Sequence, residues 1–240
     1  MNLLTPDESS LLKPPLSGFT SQRPLPPPMS YPSCYGRGMN NNLTHIAFIL
    51  DRSGSMDSIA KEAIGGFNAF IEEQIKEPGT AKLSLILFDH EYSPLITSAN
   101  LDDIPPLTEE TYVPRGMTAL LDAMGRTIDD LGKELAALPE SERPEQVIVV
   151  TLTDGYENSS HDYTQAKVAE LIKLQRETYN WEFIFLGADV ESVEYAKTLN
   201  VDSAYAQQFD NSGEGVQEAM CYSSMHISER RRQNRPAKQS

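Results

Sequence analysis

The sequence predicts an α/β domain with a mostly parallel sheet covered by helices on both faces, and three observations carry the prediction. From Thr44 onward, strand-like and helix-like segments alternate. The strand-like runs, among them THIAFILD, VIVVTLTD and WEFIFLGA, are nearly continuous in apolar residues, as strands buried on both faces are. The segments between them repeat apolar residues at helical spacing. Such alternation demands crossover connections, which lay helices on both faces of a parallel sheet.

Thr44–Asp51 is the first strand. Ser58 to Glu77 follows as a helix, with Ile59, Ala63, Ile64, Phe67, Phe70, Ile71 and Ile75 on one face and Pro78-Gly79 closing it. Lys82–Asp89 is a second strand, joined through His90-Glu91 to a weaker one, Tyr92 to Thr97. So short a link favours a hairpin, which makes Tyr92–Thr97 an antiparallel edge strand. After a loop rich in Pro and acid comes a helix from Thr118 to about Leu138, carrying Leu121, Met124, Ile128, Leu131 and Leu135. Val147–Asp154 is a strand, Thr164 to Tyr179 a helix and Trp181–Ala188 a strand. Ser192 to Leu199 is a short helix, Ser203 to Ala206 a short last strand, and Glu214 to about Arg232 a closing helix.

The chain has 240 residues, 39% of them hydrophobic, enough for one well-buried domain plus tails. Residues 1–43 are rich in Pro, Ser and Asn and lack a hydrophobic period, so a disordered or polyproline-like leader is expected there. Met39, close before the first strand, offers an alternative natural start. The domain proper is expected over residues 44–228, with a basic, flexible tail over 229–240. The net charge of −15 is unevenly spread: the leader carries +1 and the tail +4, leaving −20 on the domain. So acidic a body repels phosphate and argues against a nucleic-acid partner. Cys34 and Cys221 have no metal-knuckle or redox spacing. No signal peptide is evident, and no run approaches the ~20 apolar residues of a membrane span. A soluble protein of the cytoplasm is the expectation.

Sites in open α/β sheets form at the carboxyl ends of strands, near the point where strand order reverses. Three strands here end alike, in Asp51, Asp89 and Asp154. The first runs straight into small oxygen-bearing residues, ILDRSGSM. No GxxxxGK[ST] phosphate loop, GxGxxG fingerprint or GxSxG elbow is present, and Ser53 stands where a phosphoaspartate enzyme would place a second carboxylate. A hard-cation site fits better, because Mg²⁺ takes oxygen ligands. Asp51, Ser53 and Ser55 alternate along the turn, so their side chains can point the same way, and Gly54 permits a tight turn between them. Two neutral hydroxyls leave a cation under-neutralised and receptive to an external carboxylate. Helix capping, with Asp57 or Ser58 serving the first helix, is the simpler alternative.

Asp51-Arg52-Ser53-Gly54-Ser55 resembles the DxSxS signature of the von Willebrand factor A (vWA) domain family. Thr118, in RGMTALLDAMG, resembles that family's separate metal-site threonine, and Asp154, in TLTDGYEN, its TDG aspartate. The resemblance spans about residues 43–227. It implies a doubly wound, six-stranded sheet of order 3-2-1-4-5-6 with strand 3 antiparallel, and a metal-ion-dependent adhesion site (MIDAS) for Mg²⁺, with Mn²⁺ possible. Ser53, Ser55 and Thr118 would then be direct ligands, Asp51 and Asp154 would act mostly through water, and an Asp or Glu of a protein partner would complete the shell. The resemblance further implies a non-enzymatic binding module in an intracellular assembly, sometimes beside an ATPase, whose last helix shifts with the metal shell. A metal-dependent hydrolase and a structural subunit of an oligomeric particle are the alternatives. Arg52, Asp89, His90, Arg115, Tyr156, Glu157, Asn158 and His161 are expected on the same rim, each by itself a solvated loop residue, with Asp162 as an N-cap. The basic tail is expected to complement the negative end of the last helix dipole.

Overall fold

The computed structural model describes residues 40–233; the expected leader, apart from residues 40–43, and the end of the tail lie outside them. Six strands form one sheet: β1 (Asn40–Asp51), β2 (Thr80–Phe88), β3 (Tyr92–Asn100), β4 (Pro144–Thr153), β5 (Glu182–Gly187) and β6 (Ala206–Gln208). Their order is β3-β2-β1-β4-β5-β6, with β3 antiparallel to β2 and every other pair parallel. The helices are α1 (Ala60–Lys76), α2 (Leu120–Ala137), α3 (Gln165–Tyr179), α4 (Val190–Thr198) and α5 (Gly213–Gln233).

The apolar strands make two cores because successive side chains on a strand point to opposite faces. From β1, Ile46, Phe48 and Leu50 pack under α1 and α5, against Phe67, Phe70, Val216 and Met220. The intervening Ala47 and Ile49 face α2 and α3, beside Met124, Ile128 and Ile172. Phe48 is fully buried and meets Phe67 and Phe70 edge-on, with centroids 5.5 and 5.3 Å away. This two-sided burial is why the strands read as apolar runs and not as alternating ones.

Several boundaries differ from the sequence reading. β1 starts at Asn40, and β3 runs on to Asn100 with its pairing to β2 shifted at Leu85 and a left-handed Ser98 (φ 49°). Residues 203–205, expected to begin the last strand, form a 3-10 turn, and β6 follows as Ala206–Gln208. Neither Asp57 nor Ser58 caps the first helix: a 3-10 turn, Gly54–Ile59, leads into α1, and no side-chain cap is made at Ser53 or Ile59. α3 is capped by the Thr164 hydroxyl, which accepts from Lys167 N, in place of the expected Asp162.

α5 is held by polar clasps at its lower end. Buried Gln74 of α1 donates from Nε2 to Ser224 O, Ser224 Oγ and Ser228 Oγ, each at 3.0 Å. Arg231 is buried and donates from Nη1 to Gln74 O at 2.6 Å and to its Oε1 at 3.0 Å. Arg230 Nε donates to Glu182 Oε1 at 2.6 Å, and Arg232 pairs with Glu77. Arg230, Arg231 and Arg232 therefore belong to the helix and tie it to α1 and β5. Their charge does also sit at the negative end of the α5 dipole.

Candidate metal centre

β1 pairs with β2 on one side and β4 on the other, so strand order reverses between β1 and β4. Asp51 ends β1 and Asp154 follows β4, which places both carboxylates at this switch point. Asp51 is fixed from three directions. Its Oδ1 accepts from Ser53 N at 2.6 Å, its Oδ2 from Thr153 Oγ1 at 2.5 Å, and its carbonyl from the buried Tyr112 hydroxyl at 2.5 Å. The Ser53 and Ser55 hydroxyls lie 3.1 Å apart, and Ser55 Oγ donates to Asp154 Oδ1 at 2.6 Å. The alternate positions of the DRSGS turn thus do present one group of oxygens.

Thr118 comes from the loop that precedes α2. Its N–H donates to Asn158 Oδ1 at 2.9 Å, and Asn158 N donates back to Thr118 O at 3.0 Å. That pair of bonds joins the Thr118 loop to the loop after β4. A Cβ placed on Gly155 would lie 2.9 Å from Thr118 Oγ1 and 3.5 Å from Ser55 Oγ. The two hydroxyls therefore face the same small space beside Asp154, and the absence of a side chain at position 155 keeps it open.

Both carboxylates are strained electrostatically. Burial pushes the Asp51 carboxyl up to about 6; hydrogen bonds from Thr153 and Ser53 oppose this, while the nearby Asp154 charge adds to it. Asp154 is also raised, again first by burial, against the Ser55 hydrogen bond. The Asn211 side chain helps to lower it, yet Asp154 Oδ2 is buried without a hydrogen bond of normal geometry. Arg52, although adjacent in sequence, does not neutralise the pair: it donates from Nε to Asp89 Oδ2 at 2.9 Å and from Nη2 to Ser93 Oγ at 2.8 Å.

An orphaned buried carboxylate oxygen, two raised carboxyl groups and three hydroxyls around one space fit a hard divalent cation. No group of three or more His, Cys, Asp or Glu suited to a metal exists among the described residues. A cation here would therefore depend on the hydroxyls of Ser53, Ser55 and Thr118 as well as on Asp51 and Asp154.

Asp89 is not the solvated loop residue expected. It is fully buried, accepts from Arg52 Nε and Arg115 Nε at 2.9 Å each, and meets Glu91 N at 2.7 Å and His90 Nδ1 at 3.2 Å. Its carbonyl accepts from Ala119 N at 2.8 Å, next to Thr118. Asp89 thus fastens the loops that carry Ser53 and Thr118, and its signal in the sequence was the shared ending of three strands in Asp. Glu157, also expected on this rim as a solvated loop residue, is a second positioning residue. Its carboxylate accepts from Leu121 N at 2.8 Å, Ser159 N at 3.0 Å, and Ser160 N and Oγ at 2.8 and 2.7 Å. His161 is exposed, and its N–H donates to Asp122 Oδ2.

The loops at this end of the sheet and the first residue of α4 also carry exposed apolar side chains. Val113, Met117, Tyr156 and Val190 are each more than half exposed (51%, 55%, 54% and 56%). Among the described residues no helix is long and apolar enough to cross a membrane.

No family model and no curated protein sequence matches the chain. Solved structures do. The vWF domain of the type V pili tip protein Mfa5 from Porphyromonas gingivalis aligns with a TM-score of 0.58 at 10% identity, over 82% of this chain and 98% of that one. A von Willebrand factor type A structure from Catenulispora acidiphila aligns at 0.51 and 14% identity, over 75% and 42%. Proximal thread matrix protein 1 from the mussel byssus aligns at 0.55 and 14% identity over 78% of this chain, which spans 46% of the mussel chain. At these identities the likeness establishes the fold alone. The described residues have the Rossmann-like vWA fold, with the six-stranded order and antiparallel edge strand that the resemblance implied.

Proposed function

We propose that this protein is a non-enzymatic, metal-dependent protein-binding module. It holds Mg²⁺, or Mn²⁺, at Asp51, Ser53, Ser55, Thr118 and Asp154, and captures an Asp or Glu of a partner protein on that ion. One observation supports this above the rest: two adjacent buried carboxyl groups, both pushed up by burial, converge with three hydroxyls and have no cationic side chain paired with them among the described residues. When bound, the ion supplies the missing positive charge and a coordination position for an outside carboxylate. The protein's own part is to hold the oxygens in place, through Thr153, Tyr112 and Asn158, and to surround them with apolar contact area at Val113, Met117, Tyr156 and Val190. A hydrolase would need a general base beside the ion, and the carboxylates at hand, Asp51 and Asp154, are here assigned to the metal shell. The cytoplasmic setting rests on the sequence expectation alone, and a place in a multiprotein, ATPase-associated assembly on the family resemblance.

The test is isothermal titration of EDTA-stripped protein with MgCl₂ and MnCl₂, beside the Asp51→Ala and Ser53→Ala variants. Saturable binding by the parent chain and its loss in both variants are expected. Unchanged metal affinity in the variants would refute the assignment.

A further inference from the structure

A cavity of about 280 Å³ opens beside the candidate metal centre, between the loop after β4 and the start of α4. Gly155 belongs to both places: it lines the cavity, and a Cβ placed on it would lie 2.9 Å from Thr118 Oγ1. The inner wall is apolar, made by Leu120 at the start of α2, Phe185 of β5 and the rings of Tyr156 and Tyr195. Acidic groups surround it. Glu157 and Glu191 line the cavity, and Asp189 stands close enough to bond the Tyr156 phenol.

None of these three carboxylates has a cationic side-chain partner among the described residues. Glu157 is held rigid by its four hydrogen bonds, and Asp189 Oδ1 by Ser192 N at 2.6 Å, so the helix ends partly balance these two. Glu191 is exposed, and no hydrogen bond from the described residues ties its carboxylate. Both phenols register the field. The hydrogen bond to Asp189, then burial, and last the Asp189 and Glu191 charges hold Tyr156 up at about 12, and Glu157 adds to the effect of burial on Tyr195. Ser192 Oγ, buried in the wall, has no hydrogen bond of normal geometry, although it lies near enough to Asp189 to help lower that carboxyl.

We infer that this cavity receives a lysine or arginine side chain of the partner, from a residue close in sequence to the acid that would sit on the metal. An apolar throat with a negative mouth suits a side chain whose stem is hydrocarbon and whose head is a cation. The stem covers Leu120 and Phe185, the head stays at the mouth beside Glu191, and the flanking tyrosine rings favour a cation over a neutral group. A neutral side chain of the same length fills the throat but leaves the mouth unbalanced, and an acidic one is repelled. The inference rests on the docking reading above for its partner, though not for the cavity's preference.

The two can be separated with probes that carry no carboxylate. N-acetyl-arginine amide and N-acetyl-norleucine amide are titrated into ¹⁵N-labelled protein with Mg²⁺ and again with EDTA, following the amides of Gly155, Ser192 and Tyr195. Saturable shifts with the arginine probe, at least fivefold tighter than with norleucine, are expected. Glu191→Gln, a change on an exposed helix surface, should weaken the arginine probe about threefold and leave norleucine unaffected. Equal binding of the two probes, no saturable shift with arginine, or no response to Glu191→Gln would each overturn the inference. N-acetyl-aspartate amide in the same titrations reports on the metal. If it fails to bind in Mg²⁺ while arginine still binds, the docking reading falls and the cavity assignment stands; the converse pattern removes only the cavity assignment.

Discussion

His45 gives the domain a pH response that can be worked out from its surroundings. It lies on β1, is 2% exposed, and has Ser84 Oγ 3.1 Å from its Nε2. Burial, and after it the charge of Lys82, lowers its imidazole to about 4 from an ordinary 6.5. A histidine lowered in the folded state stabilises the fold above its unfolded value, and that contribution is lost as pH falls from 6.5 towards 4. At about 1.4 kcal/mol per unit, the loss between pH 7 and pH 4.5 is about 2.5 kcal/mol. Asp51 acts in the opposite sense. Its carboxyl is raised from 3.8 to about 6, so in metal-free protein its contribution is full below 3.8 and is lost as pH rises through 6. The stability of the parent chain alone therefore conceals both effects. Urea unfolding of the parent and of His45→Gln in EDTA, at pH 7 and pH 4.5, isolates the histidine: the stability difference should shift by about 2.5 kcal/mol in favour of the variant on acidification. Parallel pH curves for the two proteins would refute the reasoning.

Three further outcomes follow from single contacts. Gly155→Ala puts a methyl group 2.9 Å from Thr118 Oγ1, so the variant should unfold within about 1 kcal/mol of the parent yet bind Mg²⁺ at least about tenfold more weakly by titration calorimetry. Asp89→Ala strands Arg52, whose side chain is only 12% exposed, and should cost about 3 kcal/mol in chemical denaturation while loosening the Thr118 loop. Phe48→Ala empties the contact between β1 and the rings of Phe67 and Phe70, and a loss of about 3–5 kcal/mol is expected in the same assay.

How much was legible in the sequence depends on how local the physics is. The apolar runs of β1, β4 and β5 announced strands buried on both faces because burial there is two-sided, and period 2 then divided each run between the two cores. The alternation ILDRSGSM was enough to point Asp51, Ser53 and Ser55 the same way, since three residues of one turn set that geometry. Residues 203–205 and the cap of α3 were misjudged for the opposite reason. Where β6 begins is decided by pairing with Phe185, Leu186 and Gly187, and Asp162 is drawn from capping by its N–H bond to the Asp122 carboxylate at 2.9 Å.

What only the tertiary structure decided is where distant charges end up. Nothing near Asp89 in the chain says that Arg52 and Arg115 will enclose it, because the partners lie 37 and 26 residues away and meet only when three loops assemble. Likewise a run of arginines after an amphipathic helix reads as a solvated tail until Gln74, Glu77 and Glu182 are seen to receive it. The sequence by itself determined the fold class and the candidate oxygens, since hydrophobic period and turn composition are local. The folded chain decided that Asp154 Oδ2 is buried without a hydrogen bond of normal geometry and that an apolar, aromatic cavity with an acidic mouth stands beside it, since burial and convergence are properties of packing.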